Sequence, residues 1–223
     1  KVLVSIVNSS LFRAIFFIAV ICILFVLLAT FWPIGPDYFY TLRPIAESYF
    51  HGKTQLYDSN SVGYYNLPWA IFVILPTIFL PLQYGQSLLM VISLVGLLTS
   101  IVAVKTENKF SLFVFTLALA NLHTFDLFIR GNIDGIVALG VGLGWLVVVR
   151  KSPILLGIGL WLLSIKPINI ILTIPVLIRA IWNWSWRDKL LSVCPLAVTF
   201  AFAFPIFGID WPVRYIKAFN ENS

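Results

Sequence analysis

Asp37 stands in GPDYFY (35–40), after a run from Ala14 to Pro36 that contains no charged residue. A carboxylate at the edge of an apolar run has two uses. It can accept N–H groups at the start of a helix, or it can take a proton from a reacting hydroxyl. Gly35-Pro36 before it suits a cap and does not argue against a base, so the local pattern leaves both readings open. RGNID (130–134) joins two apolar runs with almost no loop and brings Arg130, Asn132 and Asp134 to the edge of a membrane span. One reading is an Arg130–Asp134 pair, four residues apart, holding a helix end; such a pair can also line a site. Lys166 lies in SIKPIN (164–169), between LLGIGLWLLSI and INIILTIPVLI. An ammonium there is a natural partner for a lipid phosphate, because a compact charge in a poorly polar setting binds anions strongly. The alternative is an interfacial anchor.

The elements that must hold these groups are apolar throughout. The 223 residues are 60% hydrophobic and 11% charged, with a mean hydropathy of +0.97, outside the range of water-soluble domains. Apolar stretches recur along nearly the whole chain, which predicts an all-α, polytopic membrane bundle, since backbone in lipid must satisfy its own hydrogen bonds. Spans are expected at 11–32, 86–104, 110–129, 133–149 and 190–208. Residues 66–82 are short and hold three prolines, which predicts a broken segment that crosses or turns back. Residues 153–178 are too long for one upright span and are interrupted by SIKPIN.

The distribution of cations arbitrates. With the N-terminus inside, no net crossing at 66–82 and a pair of short helices meeting near Lys166-Pro167, most Lys and Arg residues stay inside. Seven of the nine carboxylates then lie outside: Asp37, Glu47, Asp58, Asp126, Asp134, Asp210 and Glu221. A single crossing at 153–178 would instead export Arg179, Arg187 and Lys189. The preferred topology brings Asp37, RGNID, Lys166 and the DWPVRYIK tail to one outer face, and ionisable groups at membrane depth point to a functional cavity.

Residues 37–51 place Tyr38, Leu42, Ile45, Ala46 and Tyr49 on one side and Arg43, Glu47 and His51 largely on another, which predicts a helix lying at the interface, with Gly52 ending it. Cys22 and Cys194 sit within apolar runs and read as small packing residues. The net charge of +6 belongs to flanks of membrane spans rather than to nucleic-acid binding. WNWSW (182–186) reads as an inner aromatic belt, and GVGLG (140–144) as a close helix contact. HExxH, Cys/His zinc spacing, a Walker loop and GxSxG do not occur, and no internal repeat is apparent.

Asp37 in GPDYFY, the amphipathic helix after it and the turn from Gly52 to Tyr57 resemble the GT-C membrane glycosyltransferases. The run from RGNID to INIILTIPVLI is similar to glycosyltransferase family 87, in which a Gly-Gln/Asn-x-Asn/Asp turn opens one span and the next pair carries a lone Lys or Lys-Pro. YYNLPW (64–69) departs from that family's Tyr-x-Pro-rich segment in having one proline. The resemblance covers 11–223 and implies one transmembrane domain of about seven to eight helices, with 33–65 as the first outer loop. It implies an inverting transfer of a hexosyl group, mannosyl foremost, from a polyprenyl-phosphate sugar to a lipid-linked or glycan acceptor, at the outer face of a bacterial plasma membrane. Asp37 would be the general base. Arg130, Asn132, Asp134 and Lys166 would bind substrate, and Glu47 would orient the acceptor. No metal or other cofactor is implied. Family members carry further spans, so the chain is expected to be a piece of a longer protein. The alternative class is a non-catalytic lipid carrier or flippase, in which the same cations bind head groups and Asp37 is only a cap.

Overall fold

The structure is a computed structural model and describes residues 10–52, 56–57, 64–104 and 122–222. The fold is all-helical, and among the described residues there is no strand. Among the described residues three helices are long and apolar enough to cross a membrane: α1 (Ser10–Phe31), α4 (Leu82–Val104) and α9 (Trp186–Phe207). The sides of α1 and α9 are apolar yet mostly unburied, the composition of helices surrounded by lipid rather than water.

After α1 the chain passes Pro33-Ile34-Gly35-Pro36 and enters a wide π turn, Asp37–Leu42, that runs on into α2 (Arg43–Phe50). This amphipathic unit buries Tyr38, Leu42, Ile45 and Ala46, as the pattern predicts. It stops where Gly52 takes φ +64°, a conformation that glycine adopts without steric penalty. Arg43 differs from expectation. Its side chain is only 15% exposed, because its long stem folds down so that the guanidinium meets Glu47 at 2.6 Å and the Ile78 carbonyl at 3.3 Å.

The proline-rich stretch forms a 3₁₀ turn, Pro68–Ala70, and a short helix, α3 (Ile71–Ile78). Both ends of this segment lie at the same end of the bundle. The Leu67 N–H donates to the Ile165 carbonyl at 3.0 Å, and Thr77 Oγ1 accepts from Tyr38 OH at 3.0 Å. It therefore makes no net passage through the bundle.

α5 (Leu122–Arg130), α6 (Asp134–Arg150), α7 (Pro153–Ser164) and α8 (Pro167–Ile181) complete the centre. Of the expected span at 110–129, residues 110–121 lie outside those described. α4 and α6 run parallel, with Gly96 against Gly135 and Gly142 against Ser100. The three glycines of GVGLG serve three neighbours. A Cβ on Gly140 would lie 2.8 Å from the Gly159 carbonyl of α7, one on Gly142 would lie 2.5 Å from Ser100 Cα of α4, and one on Gly144 would lie 3.3 Å from Leu177 of α8. Small residues let these helices approach to backbone contact, the main source of helix association where no hydrophobic effect acts between them.

Pro167 starts α8 and keeps the preceding Lys166 extended, at φ −117° and ψ 99°. The long apolar stretch thus breaks into two short helices at the residues expected. Leu177 packs beside Gly144, so α8 runs back toward the Arg150 end. α9 begins at Trp186, four residues before the expected span, because the Ser185 hydroxyl caps it by accepting from the Asp188 N–H at 3.2 Å. Past Gly208 (φ +92°) a last amphipathic helix, α10 (Trp211–Asn222), turns back over the end of the bundle that carries Asp37. An aromatic cluster of Trp69, Trp211, Phe200 and Phe204 fixes it there, and Trp69 Nε1 donates to Ser164 Oγ at 2.9 Å.

Candidate functional site

Two loops 95 residues apart build the site by packing glycine against glycine. A Cβ on Gly35 would collide with the backbone of Arg130 and Gly131, and Gly131 itself has φ +68° beside Tyr38 and Gln86. Only glycine allows that approach at Gly35 and that conformation at Gly131 without strain. Buried Gln86 holds the first loop from beneath. Its Oε1 accepts from the Gly35 N–H at 2.8 Å, and its Nε2 donates to the Pro33 carbonyl at 3.0 Å. Trp32 Nε1 ties the end of α1 to the Phe128 carbonyl at 3.0 Å.

These contacts bring the Asp37 carboxylate to Asn132 rather than to its own helix. No side-chain cap is made at the start of the π turn, where Pro36 occupies the cap position. Instead Asn132 Nδ2 donates to Asp37 Oδ2 at 2.9 Å, and Asn132 Oδ1 accepts from Lys166 Nζ at 3.2 Å and from the Ile133 N–H at 2.7 Å. A cation on one side and a carboxylate on the other fix the orientation of the amide. Lys166 also pairs with Asp134, and Ser93 Oγ donates to the Asn132 carbonyl at 3.2 Å. Asp37, Asn132, Lys166 and Asp134 thus form one chain of polar contacts between four elements.

Arg130 completes the group at longer range, 3.9 Å from Asp37 Oδ1. The structure departs from the Arg130–Asp134 pair suggested by spacing. The helix ends at Arg130 and a new one starts at Asp134, so the two are not one turn apart on a common helix. Arg130 pairs with Asp126, four residues earlier on its own helix, at 2.7 Å. Glu47 is bound to Arg43 and does not line the cavity beside Asp37.

That cavity holds about 430 Å³. Asp37, Arg130, Asn132 and Lys166 form a charged wall, while Tyr65, Asn66, Tyr215 and Phe219 contribute to the rest of its lining. The sequence names none of these four as site residues, although it brings the DWPVRYIK segment that holds Tyr215 to the same face as Asp37. Burial pushes the Asp37 carboxyl above the ordinary aspartate value; the charges of Arg130 and then Lys166 pull it down, and Asp126 and Asp134 push it up. A carboxylate with its affinity for a proton raised in this way, open to a cavity and facing two cations, is equipped to accept a proton beside a bound anion. Among the described residues no group of three His, Cys, Asp or Glu side chains is placed to hold a metal ion. No family model matches the chain, and neither a curated protein nor a solved structure matches it.

Proposed function

We propose that the protein is a membrane glycosyltransferase of the GT-C type, resembling family 87, that transfers a hexosyl group from a polyprenyl-phosphate sugar to a hydroxyl of a lipid-linked or glycan acceptor. The observation that carries this reading is the Asp37 carboxylate, free of any capping role, turned into a polar cavity with Lys166 and Arg130 at its side. In this reading the bundle crosses the membrane about seven to eight times, and the cavity opens at the outer face.

The chemistry follows from the residues. The acceptor oxygen attacks C1 of the sugar while the bond from C1 to the phosphate oxygen breaks, and the electron pair leaves with the phosphate. Lys166, the less exposed cation, and Arg130 meet the charge that develops there. The acceptor proton passes to Asp37, and Asn132 keeps the carboxylate aimed by donating to its other side. Direct attack inverts the anomeric centre and needs no second carboxylate as nucleophile.

The test is transfer of radiolabelled hexose from a polyprenyl-phosphate hexose to a membrane acceptor, by the intact protein in liposomes. Labelled product that depends on the protein supports the reading. Binding of the lipid without any transfer to a panel of glycan and lipid acceptors would favour a carrier instead.

A further inference from the structure

Asn66 lines the same cavity. It is 6% exposed, its Oδ1 is buried, and no protein group hydrogen-bonds to that oxygen. The backbone around it is held on both sides. Tyr57 OH donates to the Asn66 carbonyl at 2.6 Å, and the next N–H donates to the Ile165 carbonyl at 3.0 Å. These bonds hold the backbone of Asn66 at the wall of the cavity, and a buried amide oxygen without a donor is costly.

What would satisfy it is a donor. A phosphate at neutral pH offers only acceptor oxygens, so it suits Lys166 and Arg130 but cannot satisfy Asn66 Oδ1. A hydroxyl offers an O–H. Beside Asn66 stand Tyr65, Tyr215 and Phe219, with ring centres of Tyr65 and Phe219 6.1 Å apart and Tyr215 OH 3.4 Å from the Tyr65 carbonyl. An aromatic surface with a few placed polar groups fits a ring that has an apolar face and a hydroxylated edge.

We propose that Asn66 is a specificity-determining residue that receives a hydroxyl of an uncharged sugar ring held between the charged wall and the aromatic one. The proposal rests on the reading of the cavity as a site for lipid-linked sugar. The ring belongs either to the donor head or to the acceptor, and two measurements on the intact protein in detergent distinguish them. The first compares binding of polyprenyl-phosphate hexose with binding of polyprenyl phosphate. The second titrates a methyl hexoside onto protein saturated with polyprenyl phosphate.

Wild type should prefer the sugar-bearing ligand in at least one arm by about tenfold or more, the scale of a buried hydrogen bond to a neutral partner. Asn66→Leu should abolish that preference, keep wild-type affinity for polyprenyl phosphate, and unfold at or above the wild-type temperature. Asn66→Ala, which also removes the acceptor, supplies the same comparison if the leucine variant fails to insert. Loss in the first arm assigns the donor ring, and loss in the second assigns the acceptor. A sugar preference that survives both substitutions, or none in wild type, overturns the proposal. Preference lost in the variants without turnover by wild type would remove the transferase and leave the sugar site. Normal turnover and preference in the variants would do the reverse.

Discussion

Gly142 and Gly144 lie two residues apart in the middle of α6, and alanine at each separates helix propensity from packing. Propensity favours either substitution by about 1 kcal/mol. At Gly142 the new Cβ would stand 2.5 Å from Ser100 Cα, a backbone atom that moves only if α4 moves. Restoring ordinary contact requires the two helices to part by roughly 1 Å, and such overpacking costs about 1–3 kcal/mol. At Gly144 the nearest atom is the tip of the Leu177 side chain at 3.3 Å, which needs to yield only slightly. The two variants should therefore differ by about 1–3 kcal/mol, with Gly142→Ala at or below wild type and Gly144→Ala at or above it. For a chain of this length that is a gap of roughly 2–12 °C in apparent unfolding midpoint, measured for both variants in one detergent. Equal midpoints, or a lower midpoint for Gly144→Ala, would refute the assignment of the α4–α6 seam as the tight contact.

Lys166→Met should weaken binding of polyprenyl phosphate by about 2–3 kcal/mol, the value of a charge-assisted contact in a poorly solvated place, whereas Arg130→Gln, at a side chain 52% exposed, should cause a smaller loss that fades with added salt; titration of both variants checks this. The pH dependence follows from burial, the first cause of the raised proton affinity of Asp37. A base must be ionised, so kcat/KM should fall with falling pH through a value above that of a solvent-exposed aspartate. Stability runs the other way. The folded state binds this proton more tightly than the unfolded chain, so the contribution is complete below the ordinary carboxylate value and is lost as pH rises through the raised one. The unfolding midpoint of Asp37→Asn should accordingly gain on wild type as pH rises through that window. Finally, in a background lacking Cys22 and Cys194, single cysteines at 52 and 185 should label from opposite sides of the membrane; labelling of both from one side would break the topology.

Much of the scaffold was legible because its signals are local. Pro167 after Lys166 forces an extended residue and hence a break, the three prolines between 66 and 82 shorten that segment, and alternating glycines in GVGLG mark contact faces. The site was legible only in its charged half. Asp37, Asn132 and Lys166 announce themselves as polar residues between apolar runs, but whether Asp37 caps a helix depends on Gly35 meeting Arg130 and Gly131, a contact that no local pattern encodes. The Arg130–Asp134 spacing misled because the turn at Gly131 places the two on different helices. Asn66, Tyr215 and Phe219 carry no motif, and only the turning back of α10 brings the last two to the cavity.

The role of Asp37 as proton acceptor is tested most directly by the turnover of Asp37→Asn with saturating polyprenyl-phosphate hexose. Asn keeps the size and can still meet Asn132, but it cannot accept the proton. The variant should insert, bind donor and unfold no more easily than wild type, while transfer falls by about a hundredfold or more, the scale for loss of a general base. Wild-type transfer by correctly folded Asp37→Asn would contradict the central claim.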